Sequence, residues 1–119
     1  MQKRLTSIDS SLLSSIVDIK RLRKGAYNIR KDGKGIERKV TNNINIVPKE
    51  DKPGIDIFIK DGTKGESLHI PVILTESGMN DLVYNDFYVG KDCDVVIVAG
   101  CGIHNDHEKL SKHDGIHTF

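Results

Sequence analysis

Residues 55–100 read IDIFIKDGTKGESLHIPVILTESGMNDLVYNDFYVGKDCDVVIVAG. Four short apolar, β-type runs stand in this stretch: IDIFI, LHIPVIL, LVYNDFYV and DVVIVAG. Between them lie the turn signals KDGTKGE, TESGMND and GKDCD, rich in the Gly, Asp and Asn that chain reversals need. The run centres near Ile57, Pro71, Asn85 and Ile97 are 14, 14 and 12 residues apart. Strands at such near-regular spacing point to a sandwich, a barrel or a β-helical coil. Two details favour the coil. LVYNDFYV carries polar residues inside an apolar run, which suits stacked short rungs better than a hairpin meander. No connection carries Asn-Gly, the strongest two-residue hairpin signal; Asp32-Gly33, Asp61-Gly62 and Asp114-Gly115 serve a hairpin or a corner equally well.

The same alternation extends outward. AYNIR (26–30) and NINIV (43–47) precede it, set apart by KDGKG and PKEDKPG, and GIHTF (115–119) follows after GIHND. Before Gly25 the character differs. TSIDSSLLSSIVDIKRLRKG reads as one helix, capped by Ser7, Asp9 or Ser10 and ended by Gly25. Leu12, Leu13, Ile16, Val17, Ile19 and Leu22 give it a broad apolar stripe. Its five serines weaken its intrinsic propensity, so it needs a surface to lie on. The expected organisation is a helical segment over 1–24 and a β domain over 25–119. The fold class expected is all-β: the start of a right-handed parallel β-helix, a single winding sheet with the N-terminal helix as its cap.

Bulk composition narrows the function classes. The chain has 119 residues, 37% of them hydrophobic, and no Trp, which suits one domain with a thin core. No run approaches the roughly 18–20 apolar residues of a membrane span, and the N-terminus lacks the apolar core of an export signal. Two cysteines in an otherwise disulfide-poor chain fit a reducing cytoplasm. Net charge is +1, but residues 1–39 carry +7 (11 Lys/Arg, 4 Asp/Glu) and residues 40–119 carry −6 (7 and 13). The basic block KRLRKG reads as the solvated end of a helix, where cations suit the dipole, and no aromatic platform for nucleic acid accompanies it.

The chemistry-bearing residues crowd the C-terminal stretch GCGIHNDHEKLSKHDGIHTF, residues 100–119. Cys101, His104, His107, His113 and His117 form C-x2-H-x2-H-x5-H-x3-H. Thiolate and imidazole are the usual ligands of zinc or iron, and Asp106, Glu108 and Asp114 stand ready as outer acceptors. The metal set singled out is Cys101, His104, His113 and His117, for iron, zinc or an iron–sulfur cluster. The competing reading is structural: Gly-Ile-His recurs at 102–104 and 115–117 because successive rungs repeat. His69, between apolar neighbours, reads as a hydrogen-bonded strand residue. Cys93 sits between Asp92 and Asp94, whose carboxylates blunt its reactivity. No G-x-x-x-x-G-K-[ST] and no G-x-G-x-x-G occurs. A nucleophile pair of Cys101 with His104 or His117 lacks an orienting third group, so no enzyme is expected.

LVYNDFYVG (82–90), VVIVAGCGIHN (95–105) and HDGIHTF (113–119), together with KGAYNIRKDGK (24–34) and VPKEDKPGIDIFIKDGT (47–63), resemble the SufB/SufD family. These are the scaffold subunits of the Suf iron–sulfur cluster assembly machinery, and the likeness is to the short SufBD-type proteins. The resemblance implies a β-helix and a scaffold role beside a second SufBD-type subunit and a SufC-like ATP-binding-cassette ATPase. Family members are longer, so the chain is expected to be their N-terminal part. The helical region that docks the ATPase and the late-strand cluster cysteine have no counterpart here, so no catalytic residue carries over. An open coil end exposes unpaired backbone, which predicts pairing with a second copy. No nucleic acid and no membrane insertion are expected.

Overall fold

The computed structural model describes residues 9, 11, 13, 19–76, 78, 80–103 and 112–119. One helix, α1 (Ile19–Lys24), precedes eight strands: β1 (Ala26–Lys31), β2 (Lys34–Lys39), β3 (Ile44–Pro48), β4 (Gly54–Ile59), β5 (Lys64–Leu74), β6 (Asn80–Val89), β7 (Asp94–Ile103) and β8 (Lys112–Thr118). Residues 9, 11 and 13 are also helical.

The strands divide into two four-stranded sheets, ordered β2-β1-β5-β7 (sheet I) and β3-β4-β6-β8 (sheet II). This corrects the expected fold class. A right-handed parallel β-helix made of one winding sheet would have no antiparallel pairs. Here each sheet opens on one, β1 with β2 and β3 with β4, and continues in parallel pairs. The turn chemistry supplies the reason. Asp32 and Gly33 both adopt positive φ, 47° and 81°, the conformation of the tight hairpin turn that folds a strand back on its predecessor. From β4 onward the chain crosses between the sheets at each connection.

Strand patterning follows from what covers each face. In β4, Ile55, Ile57 and Ile59 are buried and alternate with the outward Asp56 and Phe58, the period-two pattern of a sheet with one covered face. In β5 every residue from Leu68 to Leu74 is buried, because both faces of that strand are covered. One side meets sheet II in a core built around Ile44, Ile57, Leu68 and Phe87. The other side meets the helical segment: Leu13 and Leu22 pack with Tyr27, Ile29 and Ile73. Each fully buried Leu or Ile contributes about 1.5–3 kcal/mol. Leu13 and α1 therefore lie against the outer face of sheet I, on β1 and β5, and not over a coil end.

One other expectation changes in detail. Asp9 does not act as an N-cap; it lies inside helix, and its buried carboxylate accepts a hydrogen bond from Lys31 Nζ at 2.8 Å, tying the segment to β1. Gly25 follows the last helical residue, Lys24, as expected, and it also serves close packing: a Cβ there would meet the Ser67 carbonyl oxygen at 2.3 Å. Ser7 and Ser10 lie outside the described residues.

Short corners stack on one another where the chain crosses between sheets. Gly62 N–H donates to the Lys91 carbonyl at 2.7 Å, and Lys91 N–H donates to Asp61 Oδ1 at 2.7 Å. At another corner the Asp32 carboxylate accepts from the Thr75 amide (2.7 Å), the Thr75 hydroxyl (2.6 Å) and the Glu76 amide (3.2 Å). Gly54 lets β4 approach β6 closely: its φ is +136°, and a Cβ would lie 1.7 Å from the Tyr84 carbonyl oxygen. Among the described residues no helix is long and apolar enough to cross a membrane.

Candidate functional site

Residues of the last strand in each sheet, on the row that faces the other sheet, build the site; Cys101 is half-buried and His117 exposed. Register places Cys101 of β7 beside Val72 of β5, and His117 of β8 beside Asn85 of β6. Cys101 and His117 belong to different sheets, yet they line one cavity of about 200 Å³ with Ile70, Val72, Asn85 and Ala99. Alternation explains the convergence. Ala99, Cys101 and Ile103 continue the inward row set by Ile70, Val72 and Leu74, their partners on β5.

The inter-sheet space thus changes character along the strands. Around Ile57 and Phe87 it is apolar. Toward the other end it holds Arg30, the buried Asp81 and Asn85 and the half-buried Cys101, with His117, itself exposed, in register beside Asn85. Arg30 grips the Asp81 carboxylate with two nitrogens, Nε to Oδ2 at 3.0 Å and an Nη to Oδ1 at 2.8 Å. The Asp81 side chain is only 3% exposed, so this fork-to-carboxylate geometry is what makes its burial tolerable. Asn85 Nδ2 lies 3.4 Å from His117 Nδ1, and Asn85 Oδ1 accepts the Ile55 amide at 3.3 Å. The His117 ring leans on Phe87 with centroids 6.1 Å apart, and Phe87 stacks on Phe119 at 4.6 Å.

Burial, and after it the negative charge of Asp81, pushes the Cys101 thiol above its ordinary value of 9.0. At neutral pH it is a protonated thiol and a poor nucleophile. A bound metal ion reverses that balance, because it stabilises the thiolate and displaces the proton. The donor set present, one thiol and one imidazole, fits a soft or borderline cation in chemistry.

Of the four residues singled out as metal ligands, the structure brings together Cys101 and His117. His104 lies outside the described residues, as does His107. The backbone of His113 pairs in register with Asp81, and its side chain lies outside the described residues. Among the described residues no group of three or more His, Cys, Asp or Glu is arranged to hold a metal ion. His69 is buried in β5, in register between Tyr27 and Val98. The Cys93 thiol donates to the Lys60 carbonyl at 3.0 Å within a corner, consistent with a passive role. Arg30, Asp81 and Asn85 were not anticipated. Their signal was the polar residues in the odd-numbered positions 81 and 85, which share the inward row with Val83 and Phe87.

No protein-family model, no curated protein and no solved structure matches this chain.

Proposed function

We propose that this chain is a non-catalytic scaffold component of iron–sulfur cluster assembly, of SufBD type. It acts in the cytoplasm, with a SufC-like ATPase and a second SufBD-type subunit, and associates with a further copy of itself. One observation carries the reading. Cys101 and His117 stand 16 residues apart in sequence, within the GCGIHN and HDGIH stretches that carry the family resemblance, and they line a common cavity. Iron or a nascent cluster is cargo there. The Cys101 sulfur and the His117 imidazole are its first contacts, and Asn85 fixes the ring that His117 presents.

The test is anaerobic reconstitution of the purified chain with iron and sulfide, beside a zinc titration, with bound metal read by elemental analysis. Stoichiometric iron that falls away in both Cys101→Ala and His117→Ala supports the scaffold reading. Zinc held without iron or sulfide makes the chain a stand-alone metal-binding module. No metal in any arm leaves a purely structural protein.

A further inference from the structure

A cavity of about 470 Å³ lies away from Cys101. It is a cleft on the outer face of sheet I, between α1 and the outward residues of β5 and β7. Arg21 and Lys24 form its helical wall, Val96 and Val98 its floor, and Ser67 and Glu66 its far side.

The four cations of α1 have different fates. Arg23 pairs with Glu37 at 3.0 Å and approaches the Tyr27 ring at 6.0 Å. Lys20 also has an interaction partner. Arg21 and Lys24 face the cleft, and no carboxylate among the described residues lies within ion-pair reach of either. The acidic wall is occupied: both Glu66 oxygens already accept hydrogen bonds, from the Thr41 hydroxyl at 2.7 Å and Asn43 Nδ2 at 2.6 Å. The floor is apolar and open, with Val96 62% exposed.

From this arrangement we infer that the cleft binds a small amphiphile with a single carboxylate head and an aliphatic body. Arg21 and Lys24 take the head, a planar anion that suits the guanidinium fork. Val96 and Val98 take the body, whose burial supplies the apolar part of the affinity. The Glu66 and Asp94 carboxylates on the same rim set the charge limit. They repel a polyanion reaching across the cleft, but not a monoanion seated against α1. The volume falls within the roughly 300–1,000 Å³ of small-molecule sites. This inference is independent of the iron–sulfur proposal, since no residue is shared between the two cavities.

The probe is octanoate, titrated into the full chain by calorimetry, with octylamine and acetate as matched controls lacking the charge sign or the tail. Methyl shifts of Val96 and Val98 report the location. One-to-one saturable binding of octanoate is expected, with octylamine at least about tenfold weaker for the loss of one charge-assisted hydrogen bond and acetate at least about tenfold weaker for the loss of apolar burial. Arg21→Ala with Lys24→Ala should lose about the same factor while far-UV circular dichroism stays unchanged. Equal binding of octylamine, unmoved Val96 and Val98 methyls, indifference to the double substitution, or stronger binding of an oligoglutamate peptide would each overturn the inference. The comparison of octanoate with octylamine needs no variant, so a misfolded mutant leaves the test intact.

Discussion

At Gly54 the fold tolerates one residue type, for two separate reasons. Its φ of +136° excludes side chains on local grounds, and the Tyr84 carbonyl oxygen lies where a Cβ would sit, at 1.7 Å. Ordinary van der Waals contact begins at 3.4 Å, so Gly54→Ala forces a movement of about 3.4 − 1.7 = 1.7 Å between β4 and β6. That movement strains two bonds, Tyr84 N–H to the Pro53 carbonyl at 2.9 Å and Ile55 N–H to Asn85 Oδ1 at 3.3 Å. Backbone strain costs about 1–3 kcal/mol, and one lost hydrogen bond adds about 1 kcal/mol. The substitution should therefore remove about 2–4 kcal/mol. Gly62 is the matched control: its φ is +75°, but nothing lies within 4 Å of a Cβ. Gly62→Ala should cost only about 1–2 kcal/mol. Urea unfolding followed by circular dichroism measures both at constant slope. A Gly54→Ala loss no larger than that of Gly62→Ala would refute the steric argument and the close β4–β6 approach behind it.

Three further outcomes follow from the buried polar groups. Asp81→Asn removes a charge that raises the Cys101 thiol and leaves Arg30 cationic beside it. In a Cys93→Ser background, iodoacetamide alkylation of Cys101 should set in at lower pH than in the parent; an unshifted pH–rate profile contradicts the electrostatic coupling. Arg30→Met strands the buried Asp81 carboxylate and should cost about 3–5 kcal/mol, whereas the Arg30→Met, Asp81→Leu double variant recovers most of it; unfolding midpoints decide. Burial acts to raise the Asp32 carboxyl, but hydrogen bonds from the Thr75 hydroxyl and amide and the Glu76 amide outweigh it and hold it below 3.8. The unfolded state therefore takes up the proton first on acidification. The stability Asp32 provides is complete above about pH 3.8 and is lost as pH falls through the folded-state value. Asp32→Asn should lower stability at neutral pH and flatten the acid limb below pH 3.8; an acid limb identical to the parent's would count against these bonds.

The apolar runs at 55–59, 68–74, 82–89 and 94–100 announced strands β4 to β7 because short runs dense in Ile, Val and Phe, bounded by turn residues, leave few alternatives. β2 gave no such signal. KGIERK holds a single apolar residue, Ile36, and becomes a strand because the Asp32-Gly33 turn delivers it to β1. The division into two sheets was also hidden in the spacing. Runs 12–14 residues apart suit one winding sheet as well as two facing ones, and only the antiparallel starts separate them. At the site, Cys101 and His117 were legible as soft metal donors by residue type. Their convergence was not, since it depends on two sheets ending side by side. Asn85 passed for a flaw in an alternation that it in fact obeys, and Asp81 was counted into the turn signal TESGMND although it heads the same inward row.

The graded interior between the sheets has a kinetic consequence. Near Ile57 and Phe87, separation of the sheets exposes hydrocarbon and has no partial solution. Near Asp81, Asn85 and His117, water can replace each protein partner in turn as the strands part. The two ends should therefore belong to different cooperative units. Amides of β3 and β4 should exchange with solvent deuterium only through global unfolding, while those pairing β6 with β8 around Asp81 and Val83 exchange through a smaller, earlier opening. Cargo held by Cys101 and His117 would bridge both sides of that opening, so loading the site and slowing the exchange of β8 would be the same event.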